Sequence, residues 1–351
     1  MRIIQISFVA IIFLFLTPYF LLIGPDKLRD YLYRELVYKV VIENIILESD
    51  TDLEKSLKIQ EWVHKNEYPF SQFGLIDESA LTDFVRGIGY CDMLAKGVIN
   101  LAKKVDIAGR VTGLYGYDSI SHHSIAELKI NNEYRIFDPY YNIIFRNKKN
   151  NIATFDDLQD KNIIETVHGE KFNDRAIRYR EFLGENNNEY YRLFEPKYPS
   201  RIMAITSPIS NLKKLLSFMV DKNYEIFGDY FLKSFEALYF KIDKSDPLLI
   251  ARYKHLTFRF EDSINDYTTL IELYPDLNSS AFSTFWDTFI YQTPGIDTYM
   301  YFRAKAYWDI QDWANCSLNF KKIFMKHPYT KWNRPVRLFL DDCNKRLAEY
   351  R

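Results

Sequence analysis

The chain has 351 residues, room for two globular domains and an anchor, and 47% of them are hydrophobic, enough for sizeable cores. Its 46 basic and 47 acidic residues leave a net charge of −1 with no basic stripe, so nucleic acid is not an expected partner. Three cysteines do not make a disulfide framework, although Cys316 and Cys343, both in helical patterns, are able to pair.

Residues 3 to 23 carry no charge and are mostly apolar, long enough to cross a bilayer as a helix. No small-x-small cleavage site precedes Gly24-Pro25, so an uncleaved anchor over 1–24 is favoured over a cleaved signal. Arg2 lies before this run and Lys27, Arg29, Arg34 and Lys39 after it, so charge alone does not fix the orientation. The short N-terminal tail and the large following region point to main domains outside the cytoplasm.

Leu28, Tyr31, Leu32, Leu36, Val40 and Leu47 recur at helical spacing and predict a helix over 26–47, weakest at Glu43-Asn44. Thr51-Asp52-Leu53-Glu54 is a capping-box pattern that starts a second helix, ending near Lys65. Cys91 follows the glycine-bearing turn Gly87-Ile88-Gly89-Tyr90 and opens a helix over about 91–104. Strands are expected near 108–117, 122–130 and 133–138. A helix followed by neighbouring strands suits an α+β fold with an antiparallel sheet. The run from Arg146 to Asn151 reads as a solvated loop, and 153–200 as short helices and charged loops closing the first domain.

Cys91, His123 and Asp138 lie within 48 positions, in the order nucleophile, base and orienting group of a thiol-dependent acyl-transfer site. Asn131-Asn132 suits a two-residue hairpin turn, because asparagine tolerates positive φ. That turn pairs Ile130 with Glu133 and, counting back, Ile125 with Asp138. His123 and Ile125 share a strand face, so His123 and Asp138 become diagonal neighbours roughly 7–8 Å apart at Cα. His122 points to the other face. For the same reason His122 and His123 cannot both ligate one metal ion with Asp138 and Cys91 unless a bulge intervenes. At the start of a helix, the unsatisfied N–H groups and the dipole favour an anion at Cys91, and Asp92 opposes this.

These segments carry a family resemblance. Ile59 to about Asn142 resembles the transglutaminase-like superfamily of papain-related thiol enzymes. GIGYCDMLAKGVINLAKKVDIAGRVTGLYG is similar to that family's nucleophile helix and first core strand, HHSIAEL to its histidine segment, with Glu127 four residues after His123, and YRIFDP to its aspartate segment, with Tyr134 four residues before Asp138. IQEWVHKNEYPF resembles its pre-catalytic helix and loop. The resemblance implies nucleophile Cys91, base His123 and orienting Asp138, with no cofactor and no metal. It departs at Met93, Ile125 and Tyr140, where the family carries a polar residue, an aromatic and a threonine. The oxyanion-hole side chain is left open among Trp62, Tyr68 and Gln72, beside the backbone N–H of Cys91.

From about Asn211 the pattern turns helical. Ala251 to Pro275 and Ala304 to Pro328 match at small, aromatic and proline positions, Ser263 with Cys316 and Tyr267 with Phe320. They resemble tetratricopeptide helix pairs. The copies start 53 residues apart rather than 34, so an insertion or an extra helix near 279–293 intervenes. Three domains are expected: an anchor over 1–24, a transglutaminase-like domain over 25–205, and an all-α, tetratricopeptide-like domain over 206–351. The expected activity is cleavage or transfer of an amide acyl group on a peptide or protein substrate, by a cysteine peptidase, amidase or cross-linking enzyme. The alternative is an inactive scaffold that binds a protein partner on its helical repeats.

Overall fold

A computed structural model describes residues 25–69, 84–115, 121–159, 164–167, 215–242, 247–275, 295–330 and 332–349. The apolar run at 3–23 and the insertion near 279–293 lie outside these residues. Among the described residues, no helix is long and apolar enough to cross a membrane.

The described residues form α1 (Pro25–Ile45), α2 (Asp52–Asn66), two short strands β1 (Tyr68–Pro69) and β2 (Ile88–Gly89), and α3 (Cys91–Ala102). Strands β3 (Gly109–Tyr115), β4 (Ser121–Ile130), β5 (Glu133–Asp138), β6 (Ile143–Arg146) and β7 (Ile164–Val167) follow. Then come helices α4 (215–227), α5 (Asp229–Ile242), α6 (Pro247–Leu256), α7 (Phe260–Leu273), α8 (Ile296–Asp309), α9 (Trp313–Lys326) and α10 (Asn333–Glu349). The fold class is α+β. The chain falls into two compact units, one of residues 1–39 with 198–244, the other of 40–197 with 245–351.

In the first unit Tyr33, Leu36 and Val37 of α1 and Leu216, Val220 and Tyr224 of α4 are buried. Ser217 donates to Glu35 at 2.8 Å, and Lys39 pairs with Glu225 at 3.4 Å.

In the second unit, β3 to β7 run in sequence order as one antiparallel sheet of five strands. Two of these strands, β6 and β7, were not expected from the sequence. The segment read as helices and charged loops contributes Ile164–Val167 to the sheet, where it covers the free edge of β6. Thr51 caps α2 as its sequence implies: Glu54 N–H donates to Thr51 Oγ1, and Thr51 N–H donates to Glu54 Oε2. Helix α3 packs on β3 and β4. A side chain at Gly109 would meet Leu128 of β4 at 2.8 Å and Ile99 of α3 at 3.0 Å, so either neighbour would have to shift to admit one.

The C-terminal helices share an apolar cluster that includes Tyr267, Phe302, Phe320, Trp332 and Phe339. Cys316 and Cys343 are disulfide-bonded inside it, joining α9 to α10. The hairpins α6–α7 and α8–α9 repeat one turn. Phe258 N–H donates to His255 O and Arg259 N–H to Lys254 O, while Gln311 N–H donates to Trp308 O and Asp312 N–H to Tyr307 O. Phe258 and Gln311, equivalent in the two copies, both have φ of 62°. The sequence repeat is thus also a repeat of backbone geometry.

Candidate active site

Cys91 is the first residue of α3. Tyr90 ahead of it is extended, and Leu94 N–H donates to Tyr90 O at 3.0 Å. The N–H groups of this first turn have no partner within the helix and face the N-terminal end, where negative charge is favoured. Met93 closes this end: its sulfur accepts from Tyr90 N–H at 3.5 Å. Asp92 is drawn to Lys96, 3.4 Å away on the next turn. The approach to the thiol is tightly built. Gly87 has φ of +68°, and a Cβ on Gly89 would lie 1.5 Å from the buried carboxylate of Glu67.

His123 and Asp138 come from neighbouring strands. Asn131 and Asn132 have φ of 51° and 65°, a type I′ turn, and the ladder runs from Ile130↔Glu133 to Ala126↔Phe137. One further step sets Asp138 beside Ile125, and His123 lies diagonally from it. The His123 Nε2–Asp138 Oδ2 distance is 2.9 Å, and both side chains are buried, 4% and 0% exposed. The other carboxylate oxygen, Oδ1, accepts from Tyr140 N–H at 2.9 Å and Tyr141 N–H at 3.2 Å, which fixes its orientation. With Nε2 engaged by Asp138, Nδ1 is the ring nitrogen left for a second partner, and Cys91 is among the groups that act on the imidazole. Burial disfavours a charge on the imidazole. Asp138, by charge and hydrogen bond, and then Cys91 outweigh that penalty and push the ring's pKa up to about 10.

Of the three residues singled out in the sequence, His123 and Asp138 meet at hydrogen-bond distance. Several partners were not foreseen. Tyr140 and Tyr141 pack against the imidazole, with ring centroids 5.5 and 5.4 Å from it. Helix α2 grips the turn after Asp138: His64 Nδ1 lies 2.8 Å from Pro139 O, and Gln60 Nε2 donates to Asn142 Oδ1 at 3.0 Å and Ile143 O at 3.3 Å. Gln60 and His64 sit four residues apart within the buried face of α2, and polar residues at that spacing in an apolar stripe are the signal that could have found them. Glu127, fully buried, accepts from Arg110 Nε at 2.7 Å and Thr112 Oγ1 at 2.5 Å, and Arg110 stacks over Tyr134 at 4.0 Å.

Of the side chains considered for an oxyanion hole, Trp62 lies edge-on to Phe84 at 5.1 Å, Tyr68 joins the C-terminal apolar cluster, and Gln72 is outside the described residues.

Among solved structures, the chain is similar to a candidate cysteine protease from Cytophaga hutchinsonii, at 20% identity and a TM-score of 0.25, over 50% of this chain and 53% of that one. The match spans about half the length of each chain. No protein-family model and no curated protein matches the sequence.

Proposed function

We propose that this chain is a transglutaminase-like cysteine enzyme that cleaves or transfers an amide acyl group of a peptide or protein. One observation supports the reading above all: a buried imidazole holds a fixed carboxylate on one ring nitrogen, and Cys91, at a helix start, acts on the same ring. In this reading the Cys91 proton passes to His123, Cys91 Sγ attacks the carbonyl carbon and a C–S bond forms. The carbonyl oxygen takes the negative charge, facing the N–H groups at the start of α3, that of Cys91 included. The C–N bond then breaks, and His123 gives its proton to the departing amine. The thioester is opened by water or by a second amine, whose proton returns to His123 as the C–S bond breaks. Asp138 holds the ring throughout and stabilises its charged form.

The N-terminal apolar run anchors the enzyme in a membrane, with its domains outside the cytoplasm. The Cys316–Cys343 disulfide supports an oxidising compartment. The duplicated hairpins favour a second role beside catalysis, as a tetratricopeptide-like surface for a protein partner.

An amide-bearing, thiol-directed probe tests the chemistry. Labelling should be lost in Cys91→Ala and strongly slowed in His123→Ala. Equal labelling of wild type and Cys91→Ala defeats the reading.

A further inference from the structure

The segment that delivers Cys91 is held from the C-terminal helices. Arg252 on α6 is fully buried. Its guanidinium donates through Nη2 to Phe84 O at 2.6 Å and through Nε to Val85 O at 3.2 Å. Its third nitrogen, Nη1, lies 3.0 Å from His255 Nδ1. The guanidinium stacks over Phe302 of α8, with its carbon 4.0 Å from the ring centroid. The same Phe302 ring covers Gly87, where a Cβ would lie 2.8 Å away. Val85 and Cys91 are six positions apart. Between them the two-residue pairing of β2 with β1 and the close approach of Glu67 to Gly89 also hold the backbone.

Arg252 is itself fixed from behind. His255 Nε2 lies 2.7 Å from Asp309 Oδ2, and Lys305 donates to the same oxygen at 2.9 Å. An arginine facing Nδ1 makes that nitrogen the acceptor, so Nε2 carries the proton and donates it to Asp309. Asp309, His255 and Arg252 thus form a polar ladder that ends on two backbone carbonyls just upstream of the thiol. Each carbonyl is an obligatory acceptor that needs a partner once buried.

We infer that Arg252 is a positioning residue for Cys91, through which the C-terminal helices set the place of the thiol opposite His123. The inference rests on the thiol-enzyme reading. A lysine cannot reproduce it, because one ammonium cannot span two carbonyls and a ring nitrogen while lying flat on Phe302.

The test compares wild type, Arg252→Ala and Arg252→Lys in the full chain, with Phe320→Leu as a control that loosens the same apolar cluster away from residues 84–91. Cys91 labelling rate, amide turnover and thermal stability are read together. Displacement of a reacting group by about 1 Å costs on the order of a hundredfold. Labelling and turnover should therefore fall at least about tenfold in both Arg252 variants. Millimolar guanidinium, far below denaturing levels, should restore part of the rate in Arg252→Ala and none in Arg252→Lys. Phe320→Leu should lose stability but keep its rate at temperatures where it is folded. Wild-type rates in the Arg252 variants overturn the inference. So do losses that track stability alike in all three variants with no rescue, including outright unfolding of both Arg252 variants. Failure of wild type to label at Cys91 sinks the thiol reading itself, a separate outcome.

Discussion

His123 Nε2 and Asp138 Oδ2 lie 2.9 Å apart although the two residues are not direct partners in the β4–β5 ladder. Diagonal placement brings them together because two asparagines at the hairpin tip set the register, and the turn after Asp138 locks its second oxygen. Asp138→Asn should keep the fold, since its amide oxygen can still accept from Tyr140 and Tyr141. It should lower amide turnover by roughly 10²–10⁴-fold, as expected when the orienter of a catalytic histidine is neutralised. Turnover measured beside circular dichroism checks this, and an active Asp138→Asn enzyme would remove Asp138 from the mechanism.

The same pair shapes stability against pH. The folded-state pKa of His123, about 10, lies above its unfolded value of about 6.5. Between those values the native state binds the extra proton. The contribution is therefore fully present below the unfolded value and is lost as pH rises through the folded one. Urea midpoints of wild type and His123→Gln should be furthest apart at neutral pH and below, and should converge towards pH 10. A difference that widens on the alkaline side would contradict the assignment.

His255 has the opposite sign. Burial lowers its pKa to about 3, and Arg252 and Lys305 add to this against the pull of Asp309. Above about pH 6.5 its neutral form costs nothing on folding. As pH falls from there the unfolded state takes up the proton first, and stability declines. Asp309, held low by Lys305 and His255 despite its burial, loses stability in the same direction. Melting temperatures of wild type should drop on acidification below about pH 6, and His255→Gln should flatten the upper part of that limb.

Gly89→Ala forces a methyl group to within 1.5 Å of Glu67 Oε1, so the buried carboxylate must move. A misfit of this kind costs about 1–3 kcal/mol. Cys91 labelling should slow as well, since Gly89 lies two residues before the thiol. Gly89→Ala combined with Glu67→Ala should label faster than Gly89→Ala alone. No recovery in the double variant would show that the collision is not with Glu67.

Local chemistry made part of this molecule legible. The Thr51/Glu54 capping box, the Asn131-Asn132 turn and the glycines before Cys91 each act over fewer than six residues, and each is found where the sequence indicates. The His123–Asp138 pairing followed from one of them, because hairpin register converts sequence spacing into a face. Strand β7 was hidden because four residues make a short pattern whose partner, β6, is itself only four residues long. Gln60 and His64 were not singled out in the sequence, since their acceptors lie at least 75 positions away. Arg252 gave no local signal. Its burial depends on carbonyls in a distant segment, and no periodicity reports that.

The spacing of those hydrogen bonds along the chain orders events during biogenesis. Arg252 reaches back 168 and 167 positions to Phe84 and Val85. In the thiol-enzyme reading, a ribosome releases the segment that carries Cys91 long before it reaches the arginine that braces it. A product clipped before Arg252 therefore carries Cys91, His123 and Asp138 without that brace on residues 84 and 85.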